Sequence, residues 1–489
     1  MERKRNGRGD TRPYLPILIL ISSLLFFGTA LYYVRAGINP TGDEPHFLII
    51  TQTLLKYHSL NVMADYLHGD YHSFYSAVIQ PHITKNARGQ TMPLHSIGGP
   101  LLWLIPFALL GRLGAVWFIS ALSVLIIINI YKCMVLLGIR PGYAFITALL
   151  YACASPLFIF SYLTFIEPIA AFICLYVFRK LLEDDMSTPA LLLCSCLLGL
   201  LAWVHIRLVS FEALLWCFMC YRIYSQWRWR RPLLYLWWIL PIFVLSALFE
   251  VYTIVYWGTF NPSANQIYGG STIFEVLPFK GMLGIFFDQD YGLLVCFPLC
   301  FLFVAGIVLA WHKQFRRYNF YILLLSIPYI IEFTSFRNWG GGWSPPGRFM
   351  LVLLPLYAVL FGFALQCLPG RLSYALSAIM FVWGFGYNLL ALLPPDYSFN
   401  ASPAHNNALA HIKFGNIALT SWLPSVLSIN LWVLLPWIFA YLMITVGVIV
   451  LGQRNSARHD DGIRVQVPPE PASEQISTGV QGIASTGSR

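Results

Sequence analysis

The run LPILILISSLLFFGTALYYV, Leu15–Val34, followed by Thr41-Gly42-Asp43-Glu44-Pro45-His46, sets the architecture of the chain. About 20 residues without a charge, rising about 1.5 Å each, span the roughly 30 Å of a bilayer's hydrocarbon. The run is too long for a signal-peptide core and lacks a small-residue cleavage site, so it reads as a retained first membrane helix. Two carboxylates and an imidazole therefore sit where that helix leaves the membrane. There a hydroxyl can be activated beside a substrate held in lipid.

Working outward, the whole chain keeps this character. Of its 489 residues 58% are apolar and only 11% charged, with a mean hydropathy of +0.66. A soluble domain needs far fewer apolar residues. The runs are also too long and uniform for barrel strands, which alternate over about ten residues. An all-α polytopic membrane protein is expected, with the 16% aromatic content serving the two interfaces. The formal charge of +10 comes from Lys and Arg scattered between apolar segments, which fits cytoplasmic loops and not nucleic-acid binding. All ten cysteines fall in apolar segments. Cys217-Phe218-Met219-Cys220 has the spacing of a redox or zinc pair but no second pair to match, so these thiols read as packing residues.

Apolar windows predict twelve spans, near 14–34, 114–137, 142–159, 161–180, 188–204, 206–222, 233–257, 291–311, 318–336, 348–367, 371–392 and 429–451. The short run 97–110 opens Ile97-Gly98-Gly99-Pro100 and reads as a juxtamembrane or re-entrant helix. Counting it as a span would invert the later loops and put Arg228-Trp229-Arg230-Arg231 outside, against the positive-inside rule. With the basic terminus 1–13 in the cytoplasm, Arg140, Arg179-Lys180, Lys313, Arg316-Arg317 and Arg371 also lie inside. A transmembrane domain over 14–452 then carries three long external loops, 35–96, 258–290 and 393–428, and 453–489 reads as a disordered cytoplasmic tail. The protein is expected to be integral to a bacterial plasma membrane, with both termini cytoplasmic and the acidic pair outside. No internal repeat of the transporter kind is visible.

Ionisable residues within spans need partners or a wet cavity. Glu167, Glu212, Glu250 and Glu332 all fall in the outer halves of their spans, which points to a polar cavity beneath the loop that carries Asp43. Basic groups occur at the same level: His205 and Arg207 in one outer turn, and Arg337 and Arg348 flanking Trp339-Gly340-Gly341-Gly342-Trp343-Ser344-Pro345-Pro346-Gly347 in another. His82, Lys85, Arg88 and His95 lie in the first loop. An interfacial phosphate needs such donors, and Arg offers it a bidentate fork. The Gly run is not a P-loop, because no Gly-Lys-Ser/Thr follows it.

Asp43-Glu44 just after the first span, with a large external loop closed by Met92-Pro93-Leu94-His95-Ser96-Ile97-Gly98-Gly99-Pro100-Leu101-Leu102, resembles the GT-C superfamily of integral membrane glycosyltransferases. These include protein O-mannosyltransferases and the aminoarabinose transferase of lipid A. The likeness covers the first half by motif and the second by architecture. The resemblance implies a GT-C-like fold and transfer of a sugar, with inversion, from a polyprenyl-phosphate donor to an envelope lipid, glycan or protein acceptor on the outer face. It implies Asp43 as general base, with Glu44 positioning the acceptor or tuning that base. Arg348, Arg207, Lys85, His95 and His205 would meet the donor phosphate, and His46, Glu167, Glu332 and Trp343 would line the substrate cavity. The Lys-Pro-Pro-Leu form of the loop's close, seen in some members, is absent. Phe287-Asp288-Gln289-Asp290-Tyr291-Gly292 and the stretch from Trp339 to Arg348 look like motifs of uncharacterised relatives, with no role to carry over.

Asp43, Glu44 and His46 could bind a divalent ion. Pro45 interrupts a helical chelating face and no His-x-x-His pair is present, so no cofactor is expected to be required. The rival readings are a transporter or flippase of lipid-linked sugars, a non-catalytic membrane subunit, and a polymerase or ligase of surface polysaccharide.

Overall fold

The computed structural model describes residues 13–463 except 155, 184–185, 228–231, 271–273, 312–314, 393–398 and 401–405. The terminus 1–12, Arg228 to Arg231, Lys313, Pro394-Pro395-Asp396-Tyr397, His405 and the tail from 464 lie outside the described residues. Helix α1 (Tyr14–Arg35) is apolar around its whole circumference. Its buried residues Leu18, Ser22, Phe26, Ala30 and Tyr33 recur every three or four positions and form one stripe. That stripe packs along α6 (Arg112–Leu136), while Leu20 and Leu24 on the other face stay exposed.

Between them, the segment joining α1 to α6 is itself folded. Helix α2 (Glu44–Tyr57) starts on Pro45, whose fixed φ suits a first helical turn. It is followed by α3 (Met63–His68), the hairpin β1 (Ile83–Lys85) and β2 (Thr91–Pro93), α4 (Gly98–Leu102) and α5 (Leu104–Leu110). The expected juxtamembrane helix 97–110 is thus two short helices meeting at Trp103, whose indole donates to Thr51 Oγ1 on α2 at 2.9 Å. Gly98 lets α4 close on the next layer, since a Cβ there would stand 2.3 Å from the Trp203 carbonyl oxygen.

The remaining elements are α7 (Pro141–Cys153), α8 (Pro156–Phe160), α9 (Glu167–Leu182), α10 (Thr188–Gly199), α11 (Leu201–Val204), α12 (Val209–Trp227) and α13 (Pro232–Tyr252). Then come α14 (Ala264–Tyr268), α15 (Phe279–Phe287), α16 (Leu293–Cys296), α17 (Phe301–Ala310), α18 (Arg316–Thr334), α19 (Leu354–Cys367) and α20 (Gly370–Leu392). The chain closes with α21 (Asn407–Ala410), the hairpin β3 (Lys413–Phe414) and β4 (Ile417–Ala418), and α22 (Leu431–Ile463). Helix α6 packs against α9, α10 against α13, and α17 against both α19 and α22.

Among the described residues, five helices are long and apolar enough to cross a bilayer: Tyr14–Arg35, Arg112–Leu136, Pro232–Trp257, Gly370–Leu392 and Leu431–Ala457. Other expected spans are shorter or interrupted. Residues 161–166, expected inside a span, form a buried turn ahead of α9, and α16 and α17 are separate pieces of the expected span 291–311. Non-helical backbone at such depth is tolerated where protein surrounds it. Helix α22 runs past the expected boundary at 452 into the segment read as tail. Cys217 and Cys220 carry free thiols.

The turn between α15 and α16 is stapled to residues 406–426 by the Asp288-Gln289-Asp290 motif. Asp288 is fully buried. Its Oδ1 accepts from the Asp290 and Tyr291 amides, and its Oδ2 from the Val426 amide at 2.7 Å. Gln289 donates to the Leu423 carbonyl, and Asn406 donates to the Gln289 carbonyl. This motif therefore holds these segments in place and does not touch the cavity described next.

Candidate active site

The start of α2, the loop 338–348, the turn between α11 and α12, the end of α18 and the α14 segment enclose a cavity of about 940 Å³. Its lining combines polar side chains with the apolar Val78, Ile79, Phe333 and Phe336. Asp43 is the N-cap residue of α2, a position where Asp normally accepts from the first-turn amides. Here it makes no side-chain cap. Its Oδ2 instead accepts from Arg348 Nη2 at 2.5 Å.

Arg348 spends its whole fork on this region. Nε donates to Glu167 Oε1 at 2.8 Å and Nη1 to the Gly341 carbonyl at 2.9 Å. The carbonyl is available because Gly341 (φ +90°) and Gly342 (φ +68°) take left-handed conformations that other residues avoid. Arg207 Nη2 reaches the same Glu167 oxygen at 3.4 Å. The Phe349 ring lies between the two guanidiniums, 4.2 Å from that of Arg207 and 5.4 Å from that of Arg348. Glu167 is the first residue of α9 and 2% exposed, so it fixes both arginines from behind the cavity wall.

Burial alone would raise the Asp43 pKa, but Arg348, then His95, hold it well below the usual carboxylate range. The resting carboxylate is ionised and a weak base. His46, His82 and His95 line the same cavity. Burial drives His46 down to about 2, with His82 and His95 adding to the effect and Asp43 opposing it. His82 and His95 are lowered by burial too, against the pull of Asp43.

The expected site residues divide clearly. Asp43, His46, His95, His205, Arg207, Glu332, Trp343 and Arg348 all line the cavity. Glu167 stands behind it, bound to the arginines. Two other expected site residues, Glu44 and Lys85, do not line the cavity. Glu44 is fully buried and accepts from the Thr164 amide at 2.8 Å, from Thr164 Oγ1 and from the Thr41 amide. It anchors the turn ahead of α2 to the turn ahead of α9 and presents no oxygen to a substrate. Lys85 ends β1 with its side chain exposed, away from the cavity, because the hairpin register turns it outward. Of the other span glutamates, Glu212 accepts from Ser246 Oγ on α13 at 3.5 Å, a helix-to-helix contact. His82, named among the basic groups of the first loop, joins the lining, as do Asn265, Gln266 and Asn338, which were not singled out. Only His82 carried a signal, as a histidine in the same loop as His95.

Both Glu44 oxygens are taken by protein donors and His46 Nδ1 is bonded to Tyr66 Oη at 2.7 Å, so Asp43, Glu44 and His46 do not assemble as a chelating set. Among the described residues no three His, Cys, Asp or Glu side chains are grouped to hold a metal ion.

No protein-family model matches the chain, and no curated protein sequence does. Two solved structures are similar to it over most of its length. One is ArnT from Cupriavidus metallidurans bound to undecaprenyl phosphate, at 14% identity, covering 94% of this chain and 81% of that one, with a TM-score of 0.42. The other is the same protein in the apo state, at 15% identity, covering 90% and 72%, with a TM-score of 0.39.

Proposed function

We propose that this protein is an integral membrane glycosyltransferase that moves a sugar from a polyprenyl-phosphate donor to a hydroxyl acceptor, with Asp43 as general base. The observation that carries this reading is Arg348, held between Asp43 and Glu167 with Arg207 alongside. Two guanidiniums in a cavity also lined by apolar side chains suit an anionic head group on a hydrocarbon chain.

The donor phosphate competes with Asp43 for Arg348. As the guanidinium turns toward phosphate, the carboxylate loses its main counter-charge and its basicity rises toward the ordinary range. Asp43 then takes the proton of the acceptor hydroxyl while that oxygen attacks the anomeric carbon. The bond from anomeric carbon to phosphate oxygen breaks on the opposite face, which inverts the configuration. The leaving phosphate gains a negative charge, stabilised by Arg348 and Arg207 already in place. Base activation is thereby coupled to donor binding, so an empty site does not activate stray hydroxyls. The sequence requires no divalent ion, and turnover that persists in a chelator is expected.

The test is mass spectrometry of envelope lipids and glycans from cells lacking the protein, alongside the purified chain in lipid nanodiscs supplied with undecaprenyl-phosphate-linked sugars. A missing glycan modification, with its lipid-linked donor accumulating and undecaprenyl phosphate released in vitro, supports the reading. Movement of the lipid-linked sugar across the bilayer without a covalent product would replace it with a flippase.

A further inference from the structure

Three histidines of the segment joining α1 to α6 stand together without a role in the reaction as described. The β1–β2 hairpin creates the group: Ile83 pairs with Pro93, and the Leu94 amide donates to the His82 carbonyl at 3.1 Å, which brings His82 beside His95. His82 Nδ1 and His95 Nε2 are 3.2 Å apart. The His46 ring stacks on His82 with centroids 3.6 Å apart and planes 15° off parallel. Tyr66 Oη bonds His46 Nδ1 at 2.7 Å and accepts from the His82 amide at 3.4 Å, which pins the stack from α3.

Near-parallel rings aim their lone pairs into parallel planes and not at one point, so this arrangement is poor for tetrahedral metal binding. It is well suited to passing a proton, because each neutral imidazole accepts at one nitrogen and donates at the other. The charged or titratable groups that face it are Asp43 and Arg348 across the cavity, His205 beside His95, and Tyr66. Asp43 and His95 line the same cavity and each shifts the other's titration.

We propose that His95 and His82 form a relay that removes the acceptor's proton from Asp43 after each transfer, with His46 and Tyr66 as positioning residues. The inference rests on the sugar-transfer reading above. After the glycosidic bond has formed, the proton sits on Asp43 and the phosphate has left. His95 takes that proton on one ring nitrogen and releases the one on Nε2 to His82 Nδ1. His82 then gives up its other ring proton to water, between the exposed Pro81 and Ile83. No net proton is gained or lost; each histidine ends as its other neutral tautomer, which a ring flip or a return hop of protons resets before the next turnover. Their burial suits this task, since it disfavours a lasting positive charge on either ring.

The experiment is steady-state turnover of an undecaprenyl-phosphate-linked sugar by the full chain in nanodiscs. It compares wild type, His82→Phe (which keeps the stack on His46), His82→Gln and Asp43→Asn, each with and without added imidazole. Both His82 variants are expected to lose about tenfold or more in kcat with the donor KM unchanged. Imidazole is expected to restore them and to leave Asp43→Asn inactive. Unchanged kcat in both His82 variants, or a loss that imidazole does not restore and that comes with a raised KM, overturns the relay while leaving sugar transfer standing. A wild type that consumes no lipid-linked sugar overturns the transfer reading, and the relay with it.

Discussion

Arg348 and Asp43, 305 residues apart in sequence, form an ion pair of 2.5 Å in the lining of the cavity. The pair fixes the protonation state of the carboxylate and blocks it at once. Asp43→Asn keeps the size of the side chain and one hydrogen bond to Arg348, so folding and donor affinity are expected to survive. Turnover is expected to fall by at least about 100-fold, the lower end of what a positioned base contributes. Radiolabelled donor binding and product formation, measured on the same preparation, separate the two effects. Near-normal turnover would remove Asp43 from the reaction.

Arg348→Lys tests the fork. Lysine keeps the charge, but one ammonium cannot reach Glu167, the Gly341 carbonyl and Asp43 in the planar arrangement that guanidinium gives. Glu167, buried at the start of α9, would keep only the longer contact to Arg207. A buried carboxylate deprived of a close partner typically costs about 3 kcal/mol or more. The variant is therefore expected to lose both thermal stability and donor affinity. The double variant Arg348→Met with Glu167→Gln should recover stability without recovering activity, as thermal melts and turnover assays on both proteins would show.

The helical, apolar character of the chain and the position of Asp43 just after α1 were readable because they depend on local properties: an uncharged run of bilayer length, and an acidic pair at its end. The partner of Asp43 was named only as one of several basic residues, since nothing local links positions 43 and 348. That Glu44 faces away from the cavity was hidden for a related reason. Adjacent carboxylates look alike in sequence, yet at the first turn of α2 one side chain faces the cavity and the other faces Thr164. The outward turn of Lys85 was hidden because the register of a hairpin only three residues per strand long is set by its turn and neighbours, and a one-residue slip reverses its side chains. The expected spans that turned out broken share a cause. Apolar composition reports burial in lipid or in protein equally well, and residues 161–166 are buried in protein.

Those two residues give a paired prediction. Lys85→Ala removes an exposed side chain at the end of β1, so kcat and donor KM are expected to stay within about twofold of wild type. Glu44→Gln replaces one acceptor oxygen with an amide that confronts the donor groups of Thr41 or Thr164. Its melting temperature is expected to drop, and its activity to fall only as far as the folded fraction does. A folded, stable Glu44→Gln protein without turnover would return Glu44 to the chemistry. A tenfold rise in KM for Lys85→Ala would return that lysine to the phosphate.

The pH dependence of stability follows from groups in the first loop that are shifted in opposite directions. An unfolded histidine titrates near about 6.5, whereas burial, then neighbouring histidines, hold His46 down at about 2. As pH falls below about 6.5 the unfolded chain takes up a proton that folded His46 refuses, so this residue destabilises the fold on acidification. Asp65 works the other way. It is fully buried on α3, and burial, then Asp70, raise it to about 7. Between about pH 7 and the unfolded value near 3.9 the folded state holds a proton the unfolded chain lacks, so Asp65 stabilises the fold on acidification. Asp43 is silent in this window, because its depressed pKa acts only as pH falls below about 3.9. Thermal melts of the full chain at about pH 7.5 and about pH 5 should therefore show a smaller acid-induced drop for His46→Phe than for wild type. Asp65→Asn should show a larger one. Shifts of the same sign in both variants would mean that these two groups do not set the acid response of the loop.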